Sequence, residues 1–224
     1  MKKKIAILGS TGSIGITVLD IIRKDKKNFE VILLTANTNY KLLLKQALKF
    51  KVRKVILTDK KSFEKYKHIF TQKKIKILNN FNNIKKIIPK KLDYTMSCIV
   101  GIDGLKPTIN LIKISKKIAI ANKESIICGW NLIKNSLKKN KCNFIPIDSE
   151  HYSIHSLLKG HQLNEIEKIY ITASGGPFIN IPKKKFNNIK LKDALSHPNW
   201  KMGKKITIDS STLMNKVFEV IEAR

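Results

Sequence analysis

The chain is 224 residues long, is 42% hydrophobic, and sets 45 Lys plus Arg against 16 Asp plus Glu for a formal charge of +29. That length can bury a real core and hold one large domain or one domain with part of another, and no apolar run approaches a membrane span. The charge first suggests nucleic acid, but arginine occurs only at Arg23, Arg53 and Arg224, and lysines run from end to end among many Ile and Asn, the residues of A/T-rich codons; base-composition bias fits this better than a binding face, which would concentrate Arg and interleaved aromatics.

Met1 to Leu8 resembles a signal peptide only until Gly9, where the apolar run stops short of an h-region. Lys4 to Leu8 reads instead as a β-strand. It leads into Gly9-Ser10-Thr11-Gly12-Ser13-Ile14-Gly15 and then a helical pattern with Ile14, Val18, Leu19, Ile21 and Ile22 on one face. Strand, glycine turn and helix make the first unit of a dinucleotide-binding fold: the glycines permit close backbone approach, and the helix start offers N–H groups to a pyrophosphate. A purely structural strand–helix turn is the alternative.

Alternation continues through strands at Phe29–Thr35, Lys54–Leu57, Lys74–Leu78, Tyr94–Val100, Lys117–Ala121 and Cys142–Ile147. The helices between them are Tyr40–Phe50, Ser62–Phe70, Pro107–Ile114 and Glu124–Lys139, and Asn79–Lys91 reads as a loop with a short helix. This order predicts a doubly wound parallel sheet of Rossmann type, with ligands at the carboxyl ends of the strands. The turn Asn37-Thr38-Asn39 after the second strand offers neither the acid that favours NAD nor a base for the 2′-phosphate of NADP; Lys41 is near enough to serve, and a plain polar turn is equally open. Asn122 suits a helix cap before Lys123, Glu124 and Ser125. Cys98, Cys128 and Cys142 are scattered, without C-x-x-C spacing, and read as reduced thiols of a cytoplasmic protein with no zinc site.

Asp148 and Glu150 follow the last strand at spacing two, which in an extended segment puts both carboxylates on one face. Oxygen ligands of that kind suit Mg²⁺ or Mn²⁺, against the plain alternative of a solvated strand end. Beyond residue 150, Glu165–Ala173 reads as a strand ending in Ser174-Gly175-Gly176-Pro177-Phe178, a turn suited to a phosphate, and Lys183–Lys192 as a polar connection. His197 to Gly203, with Trp200 and Met202, reads as a lid or an ordinary loop. Asp209 to Glu219 reads as the start of a helix, with Thr212, Asn215, Lys216 and Glu219 on one face.

These six motifs, in this order, resemble the 1-deoxy-D-xylulose 5-phosphate reductoisomerase family across essentially the whole chain. The resemblance implies an NADPH-binding domain at 1–147 and the N-terminal part of an α+β catalytic domain at 148–224. It also implies NADPH- and metal-dependent rearrangement and reduction of 1-deoxy-D-xylulose 5-phosphate to 2-C-methyl-D-erythritol 4-phosphate, in non-mevalonate isoprenoid synthesis. Asp148, Glu150 and Glu219 would hold Mg²⁺ or Mn²⁺, with Lys123 and Ser149 on the substrate nearby. Ser174, Ser210, Asn215 and Lys216 would hold its phosphate beside His197. Lys123, Glu150 and His197 would carry the catalysis. Thr11, Gly12, Ser13, Ile14, Asn37, Thr38, Asn39, Asn122, Glu124 and Gly203 would line the NADPH site. The partners implied are a phosphorylated sugar and, as in the family, a second copy of the chain, with no nucleic acid and no membrane. The family continues into a C-terminal helical domain beyond Arg224, so the expectation is a fragment or a broken gene, catalytic or reduced to a nucleotide-binding remnant.

Overall fold

A computed structural model describes residues 1–198 and 203–223. The chain divides into two compact units, Met1–Ile147 and Asp148–Arg224. Among the described residues no helix is long and apolar enough to cross a membrane.

The first unit is a seven-stranded, wholly parallel sheet. Its strands are β1 (Lys3–Leu8), β2 (Phe29–Ala36), β3 (Lys54–Leu57), β4 (Lys76–Leu78), β5 (Leu92–Ser97), β6 (Ser115–Ile120) and β7 (Asn143–Pro146), in the spatial order β4-β3-β2-β1-β5-β6-β7. Between them run α1 (Ser13–Lys24), α2 (Tyr40–Lys49), α3 (Lys60–Gln72), α4 (Ile84–Ile87), α5 (Leu105–Ile112) and α6 (Lys123–Asn140). Period-two alternation in β1 divides the core between the two faces. Ile5 and Ile7 join Leu19 and Ile22 of α1, Leu43 and Ala47 of α2 and Phe70 of α3. Ala6 and Leu8 face the other way, toward Ile84 of α4 and Leu111 of α5. A third cluster packs Ile118 and Ile120 of β6 against Ile126 and Ile133 of α6. Near-continuous apolar runs such as Ile-Leu-Leu in β2 follow from burial on both faces.

Helix starts obey their side chains. Asn39 accepts the Leu42 amide at 3.1 Å, Asp59 that of Ser62 at 2.7 Å and Asn122 that of Ser125 at 2.9 Å. The apolar stripe expected on α1 is narrower than its sequence pattern. Leu19 and Ile22 are buried and Val18 packs against them, while Ile14 and Ile21 are exposed.

The second unit contains α7 (Ser149–Leu157), α8 (Leu191–Ala194), α9 (Lys204–Ser211) and α10 (Met214–Ala223), with short 3-10 turns at Leu163–Glu165 and Lys183–Asn188. Two expectations fail here. Glu165–Ala173 forms no strand: a strand needs a ladder partner, and among the described residues none pairs with it. Asp209 does not open a helix either. It lies in the last turn of α9, where Lys205 engages it at 2.7 Å, and Ser210 donates back to the Ile206 carbonyl at 2.7 Å. Both contacts are four-residue helical contacts, so a polar run that suits a cap sits inside a helix instead. The chain then turns through Thr212 and Leu213, whose φ is 60°, before α10. Thr212 therefore leaves the expected face, while Asn215, Lys216 and Glu219 remain together on α10.

Candidate functional site

In the first unit the strand order reverses between β1 and β5, the place where open parallel sheets bind ligands. The turn Gly9 to Gly12 leaves β1 there. Gly12 precedes α1 without a side-chain cap, so the first amides of the helix remain available to an anion. A Cβ on Gly15 would lie 2.4 Å from the Gly9 carbonyl oxygen, so only glycine lets α1 approach the turn this closely.

Thr11, Gly12, Ser13 and Ile14 therefore occupy the carboxyl end of β1, and Asn37, Thr38 and Asn39 that of β2. The side chains of two of the latter are structurally engaged. The Asn37 side-chain oxygen accepts from Thr58 at 3.1 Å and its carbonyl from the Asp59 amide at 3.1 Å, while Asn39 caps α2. Thr38 and Lys41 are exposed. Asn122 is almost fully buried and donates to the carbonyls of Ile99 and Gly101, at 2.5 Å each, besides capping α6. Buried Lys123 and half-buried Glu124 open α6.

The acids of the second unit reach one another by a route the sequence pattern did not give. Asp148 and Glu150 are not alternate residues of an extended strand. Asp148 is the cap of α7, accepting the Glu150 amide at 3.3 Å, and Glu150 lies in the first turn. Aspartate is among the preferred cap residues, and an acid in the first turn meets the positive end of the helix. Glu219 comes from α10 and is 1% exposed. One carboxylate oxygen from each of Asp148, Glu150 and Glu219 lies within 4.8 Å of the others.

Lys216 joins two of the three acids. Its ammonium donates to Glu150 and, at 2.5 Å, to Glu219, whose other oxygen accepts from the Asn215 amide. Ser149 donates to the second Glu150 oxygen at 2.5 Å. Burial pushes the Glu150 carboxyl up, but the hydrogen bonds from Lys216 and Ser149 and the Lys216 charge outweigh it and bring the group to about 2. Burial pulls Lys216 down, and its bonds to Glu150 and Glu219 raise it above the usual lysine value. Three carboxylates against one ammonium leave negative charge to neutralise, and an all-oxygen donor set fits a hard divalent cation such as Mg²⁺ or Mn²⁺.

The cluster borders a cavity of about 840 Å³ that also reaches Ser174 and Ser210. Gly176, at φ +64°, turns the Ser174 loop against α9; a Cβ there would lie 2.3 Å from the Ser210 carbonyl oxygen. Ser174 Oγ lies 3.0 Å from His197 Nε2. Gly203 stands at the start of α9. The rest of the expected lid, residues 199–202 with Trp200 and Met202, lies outside the described residues. Sequence reasoning gave His151 no role. Its Nε2 lies 2.9 Å from the Glu219 carbonyl oxygen, and its Nδ1 lies 3.9 Å from Asp148 and 3.5 Å from Glu222. The spacings Asp148 to His151 and Glu219 to Glu222, three residues each on their helices, were the available signal.

Comparisons with known proteins agree across the chain. A family profile for 1-deoxy-D-xylulose 5-phosphate reductoisomerase matches residues 5–129, and one for the C-terminal domain of the same enzyme matches 144–224. The reductoisomerase of Pelagibacter ubique is 61% identical over 99% of this chain and 58% of its own length. That of Caldanaerobacter subterraneus is 45% identical, again over 58% of its length. Among solved structures, a DOX-P reductoisomerase in complex with NADPH, fosmidomycin and magnesium superimposes with a TM-score of 0.88 at 34% identity, covering 99% of this chain and 57% of that one. The Zymomonas mobilis enzyme in complex with NADPH gives 0.85 at 32% identity, covering 100% of this chain and 57% of that one. The chain thus spans somewhat under three fifths of the length of these relatives, and it belongs to the 1-deoxy-D-xylulose 5-phosphate reductoisomerase family.

Proposed function

We propose that this chain acts on 1-deoxy-D-xylulose 5-phosphate, rearranging its carbon skeleton and reducing the resulting aldehyde to 2-C-methyl-D-erythritol 4-phosphate, in the cytoplasm. The observation that carries this reading is the convergence of Asp148, Glu150 and Glu219 on the wall of a cavity that also offers Ser174 and Ser210. Asp148, Glu150 and Glu219 would hold Mg²⁺ or Mn²⁺, which when bound supplies Lewis acidity at the ketone and hydroxyl oxygens of the substrate. The glycine turn and the Asn37–Asn39 turn would hold NADPH, the source of the hydride.

The chain's own residues divide the remaining work. Asn215 and Lys216 fix Glu219 from two sides, so its carboxylate is oriented before any ligand arrives. Ser174, Ser210 and His197 take the substrate phosphate, whose remote attachment orients the reacting carbons. Lys216 has two anionic tasks in this scheme, bridging Glu150 to Glu219 and neutralising the phosphate.

The test is NADPH consumption by the purified chain with 1-deoxy-D-xylulose 5-phosphate and Mn²⁺. We expect turnover that needs the cation and disappears in Glu150→Gln. Mn²⁺ binding without any NADPH consumption would overturn turnover by this chain.

A further inference from the structure

We infer that Gln46, on α2, is a positioning residue that fixes which way the dinucleotide turn presents its peptide groups. This inference rests on the NADPH reading above. The buried face of α2 is Leu43, Gln46 and Ala47. An amide in that row is costly unless both of its ends are paired. Here both ends go to one residue. Gln46 Nε2 donates to the Ser10 carbonyl oxygen at 2.8 Å, and the Ser10 hydroxyl donates to Gln46 Oε1 at 2.8 Å. The amide orientation follows from chemistry, because a carbonyl can only accept, so the nitrogen must face it.

The neighbouring contacts complete the clamp. The Ser10 amide donates to the Thr35 carbonyl at 2.8 Å, and the Gly9 amide to the Thr35 hydroxyl at 2.9 Å. Ser10 is fully buried, and Gln46 is 6% exposed. The decisive bond is the one to the Ser10 carbonyl. In a trans peptide the C=O and the following N–H point in opposite directions. Holding the Ser10 carbonyl inward against α2 therefore turns the Thr11 N–H outward, the sense needed to face a phosphate. A flipped peptide would present a carbonyl oxygen to the anion instead. Gln46 touches no ligand; it sets the sign of the dipole that the turn offers.

The test is the affinity of the 224-residue chain for NADPH and for 2′-AMP, which lacks the pyrophosphate, measured by calorimetry in wild type and Gln46→Met. Methionine keeps the volume and the helix propensity. Losing the clamp should weaken NADPH by about tenfold, the size of one buried hydrogen bond made to the turn, and leave 2′-AMP unchanged. Equal weakening of both ligands, or wild-type NADPH affinity, would overturn the inference. Ser10→Ala is the second variant, since it keeps the bond to the carbonyl and removes only the hydroxyl. It should weaken NADPH by roughly threefold with the same selectivity, and a tenfold or larger loss there would place the effect in the hydroxyl and not in the peptide plane. If wild type binds 2′-AMP and neither variant departs from it toward NADPH, only the Gln46 inference fails; if wild type binds neither ligand, the NADPH reading fails and this inference with it.

Discussion

In residues 1–147 the buried residues are mostly apolar, whereas among the described residues of 148–224 those that are buried are Gly176, Thr207, Asn215 and Glu219. The first unit is shaped by hydrophobic periodicity, and its candidate site is a matter of backbone: a turn, helix starts and strand ends. The second is gathered around charge, and its candidate site is side chains that reach across long sequence separations, as Lys216 does to Glu150. Apolar cores form without a ligand. A cluster of three acids does not favour its own assembly, so the second unit should depend on what neutralises it.

The largest separation between the two should come from Glu219→Ala. The substitution removes a cation ligand and leaves Asn215 and Lys216 without their α10 acceptor. Mn²⁺ binding, followed by electron paramagnetic resonance, should weaken by on the order of a hundredfold or more, while the melting of the first unit stays where it was. Retained Mn²⁺ affinity would remove Glu219 from the cation site. The converse change is Leu34→Ala in β2, at a side chain that is 0% exposed. It should cost the first unit about 3 kcal/mol through lost burial and a residual cavity and leave Mn²⁺ affinity unchanged. A parallel loss of Mn²⁺ binding would break the contrast, by showing that the charge cluster leans on the apolar core.

Acid should sharpen the same contrast. The Glu150 carboxyl is held at about 2, below its ordinary 4.5, by Lys216 and Ser149 acting against burial. A depressed carboxyl contributes stability above its ordinary value and loses that contribution as pH falls toward the folded one. Without divalent cation, proteolytic protection of the second unit should therefore decline as pH drops from about 4.5 to about 2. Lys216, raised, stays charged throughout this window. Protection that does not change with pH would show that the Glu150–Lys216 pair adds nothing to the order of α7 and α10.

What could be read from the sequence follows the same division. The strands and helices of the first unit are local patterns bounded by local caps, so their order, their parallel pairing and the glycine turn are visible in the residues themselves. The acids of the second unit are legible as residue types but not in their geometry: a spacing of two suggests a strand, where cap preference makes Asp148 the cap of a helix. Glu165 to Ala173 has strand composition and no ladder among the described residues, and composition alone cannot supply a partner. Gln46 is not legible in the sequence, because a glutamine in a lysine-rich helix looks solvated until its burial is known. The glycines after Ser174 already suggest a phosphate turn, whereas the roles of His197 and Lys216 rest on family resemblance and not on spacing, since the contacts that give those residues meaning lie 23 and 66 positions away.

A second readout of the same contrast uses the cysteines, all three of which lie in the first unit. Burial pushes the Cys98 thiol up to about 12 and that of Cys142 up to about 11, while Cys128 is exposed. The thiolate is the reactive form, so at neutral pH a mild alkylating agent should label Cys128 within minutes and leave the other two unreacted. Cys98 and Cys142 then become reporters of opening, because reagent reaches them only when the sheet or its covering helices part. Glu219→Ala and chelation of divalent ions should leave their slow labelling alone. Leu34→Ala should speed it by roughly a hundredfold if opening and closing outpace the reagent, as a loss of about 3 kcal/mol in the first unit requires. Acceleration by chelation instead would mean that the apolar sheet draws part of its stability from the carboxylates of the second unit, and the two halves would have to be treated as one cooperative structure.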